Sequence, residues 1–405
     1  LESAPRPLVL DPTGADIHAE NAELRARGAA TLVELPGQVV AWSVTDPELL
    51  KRLLSDPRVS KDPRQHWAAW RDGTVPADWP LMIWVAVQNM FTAYGGEHRR
   101  LRSLVSKAFT FRRTEALRPW VEEITNGLLD RLEGTEGVVD LREHFAYPLP
   151  IEVICQLFGV PDEHRADLRK AVDGVFNTTA TAEEAAANGE QLYRILGELV
   201  ATRRAEPGDD LASGLIAARD EDGSSLQEAE LVDTLILMIS AGHETTVNLL
   251  DHAITALLTH PDQLRQVLEG KYGWGDVIDE TLRWQAPVAH LPLRYAVEDI
   301  VVSDELTIKQ GEAILASYAA AGRAPEVGDN PDEFDLSRPN KSHLSFGHGV
   351  HFCLGAPLAR VEAEIALPAL FARFPKLALA VDPAELETTA SFISNGHKVL
   401  PVTLG

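Results

Sequence analysis

Along this 405-residue chain the apolar positions change their period several times, and the changes mark its elements. Residues 31–35 and 38–44 alternate as strands do, on either side of a Pro36-Gly37 turn. From Asp46 onward apolar residues recur at helical spacing, near 47–55, 98–107, 113–132, 150–158, 162–176 and 182–205. The longest such run opens at Ser225-Leu226-Gln227-Glu228, where serine and a glutamate three residues on predict a capping box. It continues without proline to His260, and Pro261 then ends it. Thirty-odd helical residues make a rod of roughly 50 Å. Residues 235–242, at its middle, are apolar on all sides, which predicts burial. A shorter helix after Gly273 carries Glu280 and Arg283. From Pro292 short strands return, clearest at 306–308 and 313–315, and a last helix covers about 357–374. The pattern predicts a mainly α fold with small β-sheets near both ends.

No long linker, repeat or low-complexity tract divides the chain, so one domain over 1–405 is expected, β-rich near 1–50 and 292–320 and in C-terminal strands. The 45% hydrophobic content supports a large core. Only Cys155 and Cys353 are cysteines, a count that fits a reducing cytosol and predicts a cytoplasmic protein, with Cys155 a core residue. No apolar run is long enough to span a bilayer, which predicts a soluble chain without a membrane partner. The formal net charge of −24 argues against general affinity for nucleic acid. Charge is uneven, however: residues 98–118 hold Arg99, Arg100, Arg102, Lys107, Arg112, Arg113 and Arg118 against the single acid Glu115. Such an island either steers an acidic partner or is a solvated helix face.

One segment narrows the chemistry. Phe346-Gly347-His348-Gly349-Val350-His351-Phe352-Cys353-Leu354-Gly355 precedes the last helix, with Pro357 in its first turn. A cysteine before a helix has its thiolate favoured by the amide dipoles, which predicts a pKa below the usual thiol value and a sulfur able to ligate a metal. Gly347, Gly349 and Gly355 permit backbone angles and close approaches that a side chain forbids. A second unusual segment sits inside the long helix, where Ala241-Gly242-His243-Glu244-Thr245-Thr246 places an acid and two threonines in apolar surroundings. Taken alone it is either a hydrogen-bonded kink or a functional groove.

The cysteine segment resembles, position for position, the haem-binding loop of the cytochrome P450 family, and the resemblance extends over essentially all 405 residues. It implies the fold of that family, a triangular helical prism with the long central helix over the haem, and a haem-thiolate monooxygenase that uses O2. Cys353 would be the proximal ligand of haem b, within a loop framed by Phe346, Gly347 and Gly355. Thr245 would hydrogen-bond the dioxygen, Glu244 would relay protons, and Gly242 and Ala241 would leave room above the iron. Glu280-Thr281-Leu282-Arg283 and the later Arg338 match the family's structural ion-pair network. His98, Arg102, Arg294 and His351 match positions that bind the haem propionates.

The resemblance also directs attention to partners and substrate. With neither a flavin domain nor an iron-sulfur cysteine set in the sequence, electrons are expected from a ferredoxin and ferredoxin reductase, docked through Arg99, Arg112 and Arg113. Nothing requires more than a monomer. Residues 67–94 match the family's variable substrate loop and hold Trp67, Trp70, Trp79 and Trp84, each of which could equally anchor the loop to the core. From this loop Met82, Trp84, Val87, Met90 and Phe91 are expected to line a hydrophobic pocket. Phe176, Leu237 and Met238 are expected there too, as are Ala289, Leu291, Phe392 and Ile393. The phrasing of Ser60-Lys61-Asp62 and of the loop resembles actinobacterial steroid and macrolide hydroxylases. A steroid-like small molecule is the favoured substrate, and a macrolide or polyketide the alternative. A peroxide-driven haem-thiolate enzyme and a non-catalytic haem sensor are the remaining readings.

Overall fold

The computed structural model describes residues 6–219 and 223–405. Its axis is the helix Glu228–Thr259, against which Pro148–Phe158, Asp162–Phe176, Ala182–Ala205, Trp274–Trp284 and Ala356–Arg373 all pack. The long helix starts two residues later than the sequence pattern suggested. Its capping box joins Gln227 and Glu230 rather than Ser225 and Glu228. The later register puts buried Leu226 just before the cap and buried Leu231 in the first turn, the two positions of a hydrophobic staple.

The stretch expected as helix near 113–132 is two helices, Phe111–Ala116 and Arg118–Leu132, with Pro119 in the first turn of the second. Ile17–Arg27, inside the region expected to be β-rich, is also helical, capped by the Asp16 carboxylate accepting from the Ala19 amide at 2.9 Å. Only Ile17, Asn21 and Leu24 of it are buried, a stripe too thin to stand out as a period.

Six strands form the main sheet, in the order Leu8–Val9, Ala30–Leu35, Val39–Val44, Ala313–Ser317, His290–Ala296, Val59–Ser60. Its hairpin pairs Ala30 with Val44 through Leu35 with Val39, and Gly37 supplies the left-handed angle (φ 76°) that the turn needs. Between Leu291 and Arg294 the register shifts, at Pro292, which has no amide to give to the ladder. Smaller sheets join Ala378–Leu379, Pro401–Thr403 and Val138–Asp140, and pair Ile300–Val301 with Thr307–Ile308. Among the described residues no helix is long and apolar enough to cross a membrane.

Candidate active site

Cys353 sits two residues before Gly355, the cap of Ala356–Arg373, and its amide donates to the Phe346 carbonyl at 2.8 Å. That bond closes the loop so that Sγ faces an internal cavity and receives the Gly355 and Ala356 amides. Burial nevertheless pushes the thiol above its ordinary pKa, and the two amides and the Arg102 charge only partly oppose it. The downward shift expected from the helix dipole is therefore outweighed by removal from water. Gly347 and Gly349 do hold left-handed angles, φ 71° and 72°. At Gly349 a Cβ would also lie 2.6 Å from the Leu54 carbonyl oxygen, so the loop rests directly on the helix Pro47–Ser55. Gly355, by contrast, has ordinary helical angles and needs no such freedom.

The long helix lines the same cavity with Ala241, Gly242 and Thr245. The Thr245 hydroxyl donates to the Ala241 carbonyl at 2.6 Å, and Thr246 to that of Gly242 at 3.2 Å. A Cβ on Gly242 would stand 3.0 Å from Ile154 Cδ1, so this glycine serves the approach of Pro148–Phe158 as well as the cavity. Glu244 points away from the cavity. It pairs with Arg142 at 3.3 Å and accepts from Ser394 Oγ at 2.7 Å. Arg142 also holds Asp251 and Asn248, each at 3.0 Å. On the flank of this network, polar atoms of Asp173, His243 and Glu244 lie within 4.8 Å of one another. Burial raises the Asp173 carboxyl to about 6, against the hydrogen bond that Tyr147 donates to it. Arg142 and Ser394 carried no local signal in the sequence, since both are remote from the helix they serve.

A third part of the cavity gathers nitrogen donors from arginine, lysine and histidine side chains. His98 lies beside His351, ring centroids 4.1 Å apart, and Arg102 donates to the Phe352 carbonyl at 2.8 Å. Arg294, re-aimed by the shift at Pro292, reaches the Tyr318 hydroxyl at 3.4 Å. Lys61, which spacing did not single out, is buried over the Phe91 ring with Nζ donating to the Pro292 carbonyl at 3.3 Å. Burial and Arg294 hold its pKa well below the lysine range. Among the described residues no carboxylate pairs with any of these five, and Arg294 Nη1 and His98 Nε2 are buried without a partner. A sulfur ligand at one side of a cavity and orphaned nitrogen donors at its margin, one of them on an arginine, fit a metal-bearing group with carboxylate substituents, as haem has.

The remaining wall is apolar. Trp84 donates its indole N–H to the Val175 carbonyl at 3.2 Å and packs edge-on against Phe91 and Phe176. Val87, Met90, Leu237, Met238 and Leu291 complete the expected lining residues found there. Met82, Ala289, Phe392 and Ile393 stand behind the wall. Ala289 is tied by its amide to the Ile393 carbonyl at 2.8 Å, Phe392 packs toward His290, and Met82 yields the cavity to Ile83. Trp67 and Trp79 are core anchors, Trp67 stacked on Tyr295 and Trp79 bonded to the Pro36 carbonyl at 2.7 Å.

Glu280 and Arg283 are fully buried and paired at 2.7 Å, and Arg338 joins Glu280 at 3.3 Å. The basic island is thinner than its sequence suggests, because Arg100 pairs with Glu97 and Glu230, and Arg118 with Glu115 and Glu364. Arg99, Arg112 and Arg113 remain exposed, with no ion pair among the described residues.

A family model described as Cytochrome P450 matches residues 190–270 and 275–396. The 2-hydroxy-5-methyl-1-naphthoate 7-hydroxylase of Streptomyces carzinostaticus is 47% identical, with 98% of this chain and 97% of that protein aligned. The structure of CYP154A1 from Streptomyces coelicolor superposes with a TM-score of 0.93 at 57% identity, covering 98% of this chain and 100% of that one. Testosterone-bound CYP154C4 from a Streptomyces species gives 0.95 at 44% identity, covering 99% of each.

Proposed function

The chain belongs to the cytochrome P450 family and is a haem- and O2-dependent monooxygenase of it; from that premise we propose that it hydroxylates a flat, fused-ring hydrophobic molecule of steroid-like size, with electrons from a ferredoxin and its reductase. The observation that carries the reading is that Cys353, Thr245 and the Trp84–Phe91–Phe176 aromatic wall all open onto one cavity. The overall change is RH + O2 + 2 electrons + 2 H+ to ROH + H2O.

Bound haem supplies the redox-active iron at which O2 is reduced. Cys353 would hold that iron by its sulfur, and Arg294, His98, Arg102 and His351, with Lys61 added, would hold the carboxylates. The aromatic wall excludes water and orients the substrate's flat face. The Thr245 hydroxyl lines the cavity and donates to the Ala241 carbonyl, which leaves its oxygen to accept a hydrogen bond from a protonated group at the reacting centre. Glu244, its neighbour in the helix, would relay protons to it and is oriented by Arg142 and Ser394.

The fused-ring substrate is supported by the flat aromatic surfaces and by the testosterone and naphthoate in the names of the two relatives. Titrating the holoenzyme with testosterone and with a macrolactone should shift the Soret band to the blue with the steroid alone. A shift with the macrolactone alone replaces this reading by macrolide hydroxylation. Turnover with hydrogen peroxide but none with reduced ferredoxin would replace the electron source. A ferrous carbon monoxide spectrum without the strong red shift of thiolate ligation would remove Cys353 from the iron.

A further inference from the structure

The most irregular wall of the cavity is fastened by one buried carboxylate. Asp233 lies in the long helix, 4% exposed, and no lysine, arginine or histidine pairs with it among the described residues. Its charge is met instead by two short hydrogen bonds, one from the backbone amide of Gln88 and one from the phenol of Tyr193. Its backbone carbonyl accepts from Asn89 Nδ2 at 2.8 Å, and Asn89 in turn accepts the Phe91 amide at 2.9 Å. A carboxylate out of water and without a counter-charge is costly unless such donors reach it. Here the donors belong to two different elements, the substrate loop and the helix Ala182–Ala205.

Gln88 and Asn89 sit between Val87 and the pair Met90 and Phe91, three of the loop residues that face the cavity. Fixing the first two fixes the other three. We propose that Asp233 is a selectivity-determining positioning residue. By pinning residues 87–91 to the long helix and to Tyr193, it sets the cavity's width and the rate at which ligands pass the loop. The inference rests on the reading of this cavity as the substrate site, and it adds that bulky molecules are rejected by a hydrogen-bonded wall rather than by side-chain volume alone.

The test uses the holoenzyme, with Asp233→Asn and Tyr193→Phe variants and 4-phenylimidazole as a haem-ligating probe independent of substrate class. Loss of one charge-assisted hydrogen bond should raise amide hydrogen exchange across residues 82–94 by about ten-fold in Asp233→Asn. It should also speed both association and dissociation of the probe by a similar factor and narrow the affinity gap between testosterone and a macrolactone. The carbon monoxide spectrum should stay as in the parent, and the thermal midpoint should fall by no more than about 4 °C. Tyr193→Phe, which removes only the half-exposed phenol, should move exchange and probe rates in the same direction by a smaller factor, so the inference stays testable if Asp233→Asn folds poorly. Exchange and probe rates equal to the parent's in the variants that fold would overturn it. A failure of the parent to bind testosterone, with these rates still altered in the variants, would overturn the substrate reading and leave Asp233 as the pin.

Discussion

Glu280 accepts from Arg283, from Arg338 and from the Asp335 amide at 2.9 Å, while Arg283 spends its other donors on the carbonyls of Gly322, Pro331 and Glu333. Every donor of a fully buried guanidinium is thereby used. Replacing Glu280 with glutamine leaves two cations beside a neutral partner, and the expected loss is about 3–5 kcal/mol in denaturant unfolding, with less haem incorporated per chain. Thr245→Ala removes a hydroxyl whose only bond among the described residues is to its own helix, so stability should barely change. Product formed per NADPH consumed should fall roughly ten-fold, with the carbon monoxide spectrum intact. Cys353, Glu280 and Arg283 were legible in the sequence because each belongs to a pattern a few residues long. Lys61, Asp233 and Arg142 were not, since their partners Pro292, Tyr193 and Glu244 come from distant segments that only the fold brings together. Glu244 itself was found, but its orientation away from the cavity depends on Ser394 and could not be read from a neighbouring residue.

Helices were read well where an apolar stripe and a cap coincide, as in Pro47–Ser55 behind Asp46 and Ala182–Ala205 behind Thr181. They were misread where two candidate caps overlap, at Ser225 and Gln227, or where the stripe is thin, at Ile17–Arg27. The crossing of the long helix with Pro148–Phe158 depends on Gly242. Gly242→Val should destabilise by about 1–3 kcal/mol through overpacking, and Ile154→Val in the same chain should recover part of it in a double-mutant cycle. Gly95–Ala108 lies against the cysteine loop through Arg102, and Arg99 and the exposed Arg112 and Arg113 just beyond it face solvent. Arg112→Glu or Arg113→Glu should slow electron transfer from a ferredoxin and weaken its salt dependence, leaving substrate affinity unchanged. Unchanged turnover and salt dependence in both would end the docking assignment.

Across the whole molecule, burial holds several histidines as neutral rings, and four of them lie apart from the nitrogen-donor side of the cavity. Burial lowers His18 and His290 to about 4, and His243 and His252 to about 3. The unfolded chain protonates them near pH 6.5 and the folded one does not, so stability is complete above that pH and declines as pH falls toward these values. The slope approaches about 1.4 kcal/mol per pH unit for each ring, and denaturant midpoints between pH 7.5 and 5 should record it. His290→Asn should flatten the slope by close to one proton. Another global property lies in the main sheet. Val39–Val44 pairs on one side with its hairpin neighbour and on the other with Ala313–Ser317, beside which Trp42 bonds to Glu312, 270 residues along the chain. At translation rates of roughly 5–20 residues per second, that outer edge waits on the order of 14–54 s for its partner to leave the ribosome. For that interval the nascent hairpin offers an open template to any passing strand. A chaperone that covers that edge during synthesis should therefore raise the yield of native protein.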